Sequence, residues 1–373
     1  MIMSERTQNK KILILANDCG GLYKFRKELM QACMDCGNNV VAAIPYGSFV
    51  EEIKSMGVET IETPMDRRGM NPFHDIKLLL QYIKLIKKYR PDVVFTYTIK
   101  PNVYGGMVCQ LFKVPYITNI TGLGTAVENG GIIQKITLTL YKMGLRKAQK
   151  VFFQNTENME FMLKHNVVKT SYDLLPGSGV NLNNYTVSEY PTGDTIDFVF
   201  VSRIMKEKGI DQYLEAAKAI RNKYPETRFH ICGFCEQAYE SQLKQLNDDG
   251  VIIYHGTVKD MAAIYRQMSC TVHPTYYPEG LSNVLLESAA SGRPIITTDR
   301  SGCREVVENG INGYVVKEKD SQDLIEKIER FLKLSVDERK QMGLAGRAKV
   351  EKEFDRNIVV GKYLMEISKK GTT

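Results

Sequence analysis

A chain of 373 residues, with 43% apolar and 25% charged side chains, is long for one hydrophobic core and fits two globular domains of ordinary size. No stretch reaches the roughly 18 consecutive apolar residues that a bilayer-spanning helix needs. The net charge of +7 is unevenly held: residues 1–180 carry 23 Lys+Arg against 15 Asp+Glu, and residues 181–373 carry 27 against 28.

From the N-terminus, a polar opening is followed by KKILILAN (10–17), a run of strand length and too short for a signal-peptide core with a cleavage site. A cytoplasmic location is therefore expected. The amphipathic LYKFRKELMQACMDCG follows, then the strand NNVVAAIP and a helix at SFVEEIKSMG. The helix IKLLLQYIKLIKKYR leads into the strand PDVVFTYT. VPYITNIT and KVFFQN supply further strands around the long amphipathic IIQKITLTLYKMGLRKAQ. Fully apolar strands alternating with helices predict a parallel sheet covered on both faces.

The pattern stops at LLPGSGVNLNNYTVSEYPTGDT (174–195), an aperiodic stretch rich in Pro, Gly, Asn, Ser and Thr that reads as a linker. Alternation then restarts. IDFVFVSRI, TRFHICG, VIIYHGTV, CTVHPT and RPIITT are strands, separated by helices at GIDQYLEAAKAIRNKY, AYESQLKQLNDD, DMAAIYRQM and NVLLESAASG. Helices run from Ser321 to Lys349 and from about Asp355 to Lys369. The expected architecture is α/β: two Rossmann-like, doubly wound parallel-sheet domains facing a cleft, which bind ligands at the carboxyl ends of their strands. Residues 1–180 form the first domain, with the C-terminal helix of 355–373 packing back on it, and residues 181–354 form the second. The eight cysteines are scattered, and the pairs Cys33/Cys36 and Cys232/Cys235 read as reduced structural thiols.

Three places carry candidate chemistry. Arg203 and Lys208, in FVSRIMKEKGID, follow a strand and precede a helix, where free N–H groups and the dipole attract phosphate. A planar guanidinium and a mobile ammonium there make a clamp for a diphosphate, or else two solvated cations beside Glu207 and Asp211. Gly20 and Gly21 lie between a strand and a helix, allowing close approach to a phosphate or sugar, or forming a plain tight turn. The sequence there is not G-x-G-x-x-G, so a nicotinamide site is poorly supported. In YYPEGLSNVLLESAASGRPII (276–296), Glu279 lies in a turn and Glu287 eight residues on, within an apolar helix. A carboxylate placed there needs a partner. The hydroxyls of a ribose or hexose would serve, and so would a salt bridge to Arg293.

Arg203-x4-Lys208, the H-G-T-V at 255–258, E-G-L-S-N-V-L-L-E, S-G-R-P-I-I and G-C-R-E-V-V-E-N-G-I-N-G-Y-V-V together resemble the retaining GT-B glycosyltransferases of family 4. The resemblance is dense over 196–320 and weaker over 11–180. It implies that Glu287 holds the ribose of a nucleotide, Glu279 the hydroxyls of the transferred sugar, and Arg203 and Lys208 the diphosphate. Backbone N–H groups of Gly280, Leu281, Ser282 and Asn283 would support the distal phosphate or sugar. Val258 would lie by the base, Gly233 at the edge of the donor site, and Gly20-Gly21 over the phosphates. It further implies no cofactor and no metal ion, a UDP-sugar as donor, and a lipid-diphosphate-linked glycan as acceptor. The basic first half would then face an anionic inner-leaflet membrane surface, with Lys84, Lys87 and Lys88, and Lys142, Arg146, Lys147 and Lys150, as stripes that could equally be solvated faces. The protein would be peripheral on the cytoplasmic side. Nucleic acid is not an expected partner, because no RNP motif or finger spacing is present.

One departure stands out. Many relatives carry a His after the strand corresponding to VPYITNIT, where this chain has Thr121-Gly122-Leu123-Gly124, so Lys100, Asn102 and Thr121 are the acceptor-side contacts expected instead. The alternatives left by the sequence are a GT-B-fold UDP-sugar epimerase and a catalytically inactive nucleotide-sugar-binding protein.

Overall fold

The computed structural model describes residues 9–66, 71–128 and 130–369; the ends of the chain at 1–8 and 370–373, which the signal-peptide and C-terminal-helix readings touch, lie outside the described residues. The chain divides into two compact units, one running to Ser178 and resuming at Arg356, the other spanning Gly179–Asp355.

The first unit opens with β1 (Lys11–Leu15), α1 (Cys19–Asp35), β2 (Asn39–Ile44), α2 (Val50–Ser55) and β3 (Glu59–Glu62). It continues with α3 (Pro72–Tyr89), β4 (Val93–Tyr97), a π-helical turn at Pro101–Gly105 running into α4 (Gly106–Phe112), and β5 (Tyr116–Ile120). α5 (Thr125–Glu128), α6 (Gly131–Leu145), β6 (Lys150–Phe153), α7 (Thr156–Lys164) and β7 (Tyr172–Leu174) close the series. The strands form one parallel sheet in the order β3-β2-β1-β4-β5-β6-β7. Alternation along β1 shows why its residues are apolar throughout. Leu13 and Leu15 enter one core, Ile12 and Ile14 the other, so both faces are covered.

The second unit holds β8 (Ile196–Val201), a 3₁₀ turn at Lys206–Lys208, α8 (Ile210–Lys223), β9 (Thr227–Cys232), α9 (Glu240–Asp248) and β10 (Ile253–Gly256). α10 (Met261–Gln267), β11 (Cys270–His273), α11 (Asn283–Ala290), β12 (Ile295–Thr298), β13 (Gly313–Val316), α12 (Ser321–Leu332) and α13 (Val336–Glu353) follow. Its six parallel strands take the order β10-β9-β8-β11-β12-β13. α14 (Arg356–Ser368) belongs to the first unit, where Tyr363 is fully buried, its ring 5.1 Å from Phe95 and 5.0 Å from Phe152.

In both sheets the strand order reverses beside the first strand of its unit. Loops after adjacent strands then diverge to opposite faces and leave room for a ligand at the carboxyl ends. The switch points lie between β1 and β4 and between β8 and β11.

The stretch 174–195 is not a free linker. From Gly179 onward it belongs to the second unit and is pinned along its length. Val180 N donates to Phe354 O (2.8 Å), and the buried Tyr190 hydroxyl donates to Ser269 O (2.8 Å). Arg293 donates to Ser188 Oγ (2.7 Å) and Glu189 O (3.0 Å). Lack of periodicity marked absence of regular structure there, but partners from distant elements supply the backbone bonds that a helix or strand would. All eight cysteines are free thiols, six of them buried.

Candidate functional site

The switch point of the second unit decides which candidates meet. Arg203 and Lys208 lie on the loop after β8, and Glu279 lies on the loop after β11, the neighbouring strand. Gly209, at φ +78, sits against the end of β11: a Cβ there would come within 2.1 Å of Pro274 O. Only glycine lets the two loops approach this closely. The result is direct contact between Lys208 Nζ and Glu279 Oε1, with the two side chains 8% and 16% exposed. Tyr277 forms the base, its ring 4.8 Å from Lys208 Nζ and 5.4 Å from Arg203 Cζ. Arg203 donates to Glu236, on the segment after β9. Burial and the Arg203 guanidinium pull the Lys208 ammonium down to about 7, and the Glu279 carboxylate against it acts in the opposite sense.

α11 begins beside this pair. Ser282 is its N-cap residue, but the Ser282 side chain does not cap the helix; its Oγ lies 3.3 Å from His273 Nε2. The Ser282 amide already donates to Gly302 O at 2.8 Å, so of the amides expected to serve a ligand over 280–283 this one is committed within the fold. Gly280, Leu281 and Ser282 are all buried, and Asn283 opens the helix.

Glu287 lies within α11, eight residues after Glu279. Tyr265, fully buried on α10, donates its hydroxyl to Glu287 Oε2 at 3.4 Å. Val258 packs against the same cluster, which joins Tyr265 to Val199, Cys232 and Met268. Glu287 and Val258 thus share Tyr265 as a neighbour. The salt bridge to Arg293 does not form. That guanidinium is 1% exposed and spends its donors on Tyr265 O (2.9 Å), Arg266 O (2.8 Å) and the 188–189 strap. Gly233 turns the chain after β9 at φ +149, where a Cβ would lie 1.7 Å from Ser202 O, and its amide donates to Gly256 O at 2.7 Å. The glycine is needed by the fold at that point.

Comparison with known proteins follows the same division. Residues 11–155 match the family described as Glycosyl transferase 4-like, and residues 188–349 match Glycosyl transferases group 1. The chain belongs to the GT-B glycosyltransferases of family 4. It is 25% identical to the N,N'-diacetylbacillosaminyl-diphospho-undecaprenol alpha-1,3-N-acetylgalactosaminyltransferase of Campylobacter jejuni, over 95% of this chain and 97% of that one. The capsular polysaccharide biosynthesis glycosyltransferase CapM of Staphylococcus aureus is 26% identical, over 83% and 85%. In structure the chain is similar to the HepE protein of Anabaena crystallised with UDP and glucose, at a TM-score of 0.80 and 15% identity, covering 97% of this chain and 100% of that one.

In the first unit of this glycosyltransferase, several expected contact residues are placed differently from the sequence-based expectation. Asn102 is fully buried in the π-helical turn and donates to Asn119 O at 2.9 Å, so it cannot touch an acceptor as the chain stands. Lys100 is held by Asp75 (2.7 Å), whose other oxygen accepts from Tyr104 (2.8 Å). Thr121, just past β5, is half-buried. Gly20 and Gly21 do not form a loop. They lie in the first turn of α1, capped by Asp18, whose Oδ2 accepts from Gly21 N at 2.7 Å. A carboxylate at that N-terminus answers the dipole that a phosphate would otherwise meet. Sequence reasoning also passed over Thr98, which follows β4 at the switch point of this unit. It is a β-branched residue at φ +71, and its buried Oγ1 finds no hydrogen-bond partner among the described residues. Such a conformation is strained for threonine, and strain of this kind gathers at functional loops.

His273 was missed too. At the end of β11 it is 1% exposed, with Nε2 3.9 Å from Glu279 Oε1 and Nδ1 lacking a partner among the described residues. Burial, and then the Lys208 charge, lower its pKa from the ordinary 6.5 to about 3, so the imidazole is neutral at working pH. The sign of the linkage is clear. Below about 6.5 the unfolded chain takes up a proton that the folded chain refuses, so the stability present above 6.5 is lost as pH falls toward 3. Acid unfolding followed by circular dichroism should show that slope, and His273→Gln should flatten it. An unchanged slope in the variant would mean that His273 does not hold off its proton.

Proposed function

We propose that this glycosyltransferase moves a hexose or N-acetylhexosamine from a UDP-sugar to a lipid-diphosphate-linked glycan, with retention of configuration and without a metal ion, at the cytoplasmic face of a membrane. The observation that carries the reading is the convergence of Arg203, Lys208 and Glu279 at one switch point. Cleaving the bond between a sugar and a diphosphate builds negative charge on the leaving group and positive charge on the ring. Two preorganised cations beside one carboxylate match both, and such matching is usually the largest catalytic contribution. Arg203 and Lys208 would meet the diphosphate, Glu279 the sugar hydroxyls, and Glu287, steadied by Tyr265, the ribose. The departing phosphate would take the acceptor's proton on the same face, which gives retention without a covalent intermediate. The relatives named for diphospho-undecaprenol and capsular glycans support the acceptor class, and the UDP in the Anabaena structure supports the donor.

The test is transfer from UDP-hexoses and UDP-N-acetylhexosamines to a synthetic polyprenyl-diphosphate sugar, with the anomeric configuration of the product read by NMR, in EDTA and in magnesium. An axial-to-axial product formed at the same rate in both is expected. Activity lost in EDTA and restored by magnesium would remove the metal-free mechanism. An altered nucleotide sugar formed without acceptor would replace the transferase by an epimerase.

A further inference from the structure

Two cations that serve one diphosphate must lie close together, and each then disfavours the charge on the other. Burial adds to the difficulty. Lys208 is the cation that yields, its ammonium brought down to about 7. In the chain as it stands Arg203 donates to Glu236, and Glu279 lies against Lys208. The proposed reaction gives Glu279 a second task at the sugar hydroxyls, so its hold on Lys208 is shared once a donor is bound.

Tyr277 meets both cations. Its ring centroid lies 4.8 Å from Lys208 Nζ and 5.4 Å from Arg203 Cζ. The face of an aromatic ring carries the negative side of its quadrupole, and its attraction for a cation grows where water is excluded. Such a face draws the cation without neutralising it, which leaves the charge available to a phosphate.

The ring is held from the two neighbouring loops as well as its own. Tyr277 N donates to Thr275 Oγ1 at 3.2 Å. Tyr277 O accepts from Arg300 Nε at 3.1 Å, and Arg300 is tied in turn to Glu318 at 3.0 Å. Thr275 O accepts from Thr298, the last residue of β12. Tyr276 N donates to Glu207 O at 2.9 Å, inside the 3₁₀ turn that ends in Lys208. Ring and ammonium are therefore set against each other by backbone bonds, whatever partners the carboxylates take.

Other titratable groups reach Lys208 from every adjoining loop. They are Arg203 after β8, Glu236 after β9, His273 and Glu279 at and beyond the end of β11, and Cys303 after β12. His273 is neutral, and burial raises the Cys303 thiol to about 11, so neither offsets the Arg203 charge at neutral pH.

We infer that Tyr277 is a positioning residue whose ring holds Lys208 as a cation beside Arg203, ready for a diphosphate. The use of that cation rests on the proposed donor; the hold itself does not, because it is read in the protein without any nucleotide.

The experiment follows the ¹³Cε resonance of Lys208 in the lysine-labelled full chain, assigned with Lys208→Met. Loss of the ring removes an attraction for the charged form, so Lys208 should release its proton at lower pH. In Tyr277→Leu the titration is expected about 0.5–1 pH unit below wild type, and in Tyr277→Phe unchanged. Pentafluorophenylalanine in place of Tyr277 keeps the shape and inverts the quadrupole, and should behave as leucine does.

Calorimetric titration with UDP from pH 6 to 8.5 gives the second reading, since the ionisation of UDP is common to all the proteins and cancels. Tyr277→Leu should bind UDP about three- to tenfold more weakly than wild type at pH 8, with the gap closing toward pH 6 as the ammonium becomes charged in both. A titration unmoved in Tyr277→Leu, or moved as far in Tyr277→Phe, would overturn the inference. So would a loss of UDP affinity equal at both ends of the pH range, the mark of a ring that packs on the nucleotide and leaves Lys208 alone. A shifted Lys208 titration in a protein that binds no UDP would uphold the ring's hold while removing the proposed donor site.

Discussion

Lys208→Met is expected to reduce turnover by roughly 10²-fold or more and to weaken UDP binding, because it removes one of the two cations that would meet the leaving diphosphate. The same change should also be felt in stability. Lys208 and Glu279 are in contact and largely shielded from water. Breaking such a pair by deleting one partner typically destabilises by about 3–5 kcal/mol, since a carboxylate stays behind in a site shaped for a cation. Glu279→Gln in the Lys208→Met background should therefore recover much of the lost stability and none of the activity. The two effects separate cleanly in urea unfolding and steady-state kinetics on the single variants and the double variant. Arg203→Ala provides the comparison: at 33% side-chain exposure it should cost little stability, yet lower turnover by a similar factor. Wild-type kcat and KM in the Lys208 variant would take that residue out of the reaction.

The two glutamates should part company in a second measurement. Glu287→Gln is expected to weaken free UDP and UDP-sugar alike, by about 10- to 100-fold, because a charge-assisted hydrogen bond to the shared ribose is lost. Glu279→Gln should leave UDP affinity nearly unchanged and lower kcat and kcat/KM together, as befits a contact that strengthens while charge develops on the sugar ring. Their surroundings already differ: Glu279 faces Lys208 and lies near His273, whereas Glu287 takes the Tyr265 hydroxyl. Calorimetric titration of UDP into both variants, beside kinetics with the sugar donor, reads the difference. Equal losses of UDP affinity would show that the eight-residue spacing does not divide sugar from ribose.

The architecture was legible in the sequence for a local reason. Strands such as KILIL and IDFVFV are apolar at consecutive positions because both of their faces are covered, and the helices between them carry the 3.6-residue period of one buried side. The motifs that name the family are equally local: R-x4-K, E-x7-E and the turn glycines lie within short segments whose chemistry does not depend on distant chain. What the sequence could not fix were relations between segments far apart. Asn102 reads as an available amide, and only the packing of its turn against β5 buries it. The Pro- and Gly-rich stretch after 178 has no period, yet Arg293, more than a hundred residues later, holds it in place. His273 looks like an ordinary strand residue until the β8 loop brings the Lys208 charge beside it. Lys208 and Glu279, 71 residues apart, meet because the sheet places β11 next to β8 and a glycine at 209 permits the approach. Periodicity reports which side of each element is buried. Which elements become neighbours, and hence which polar groups spend their hydrogen bonds on one another, is decided when the strands pair.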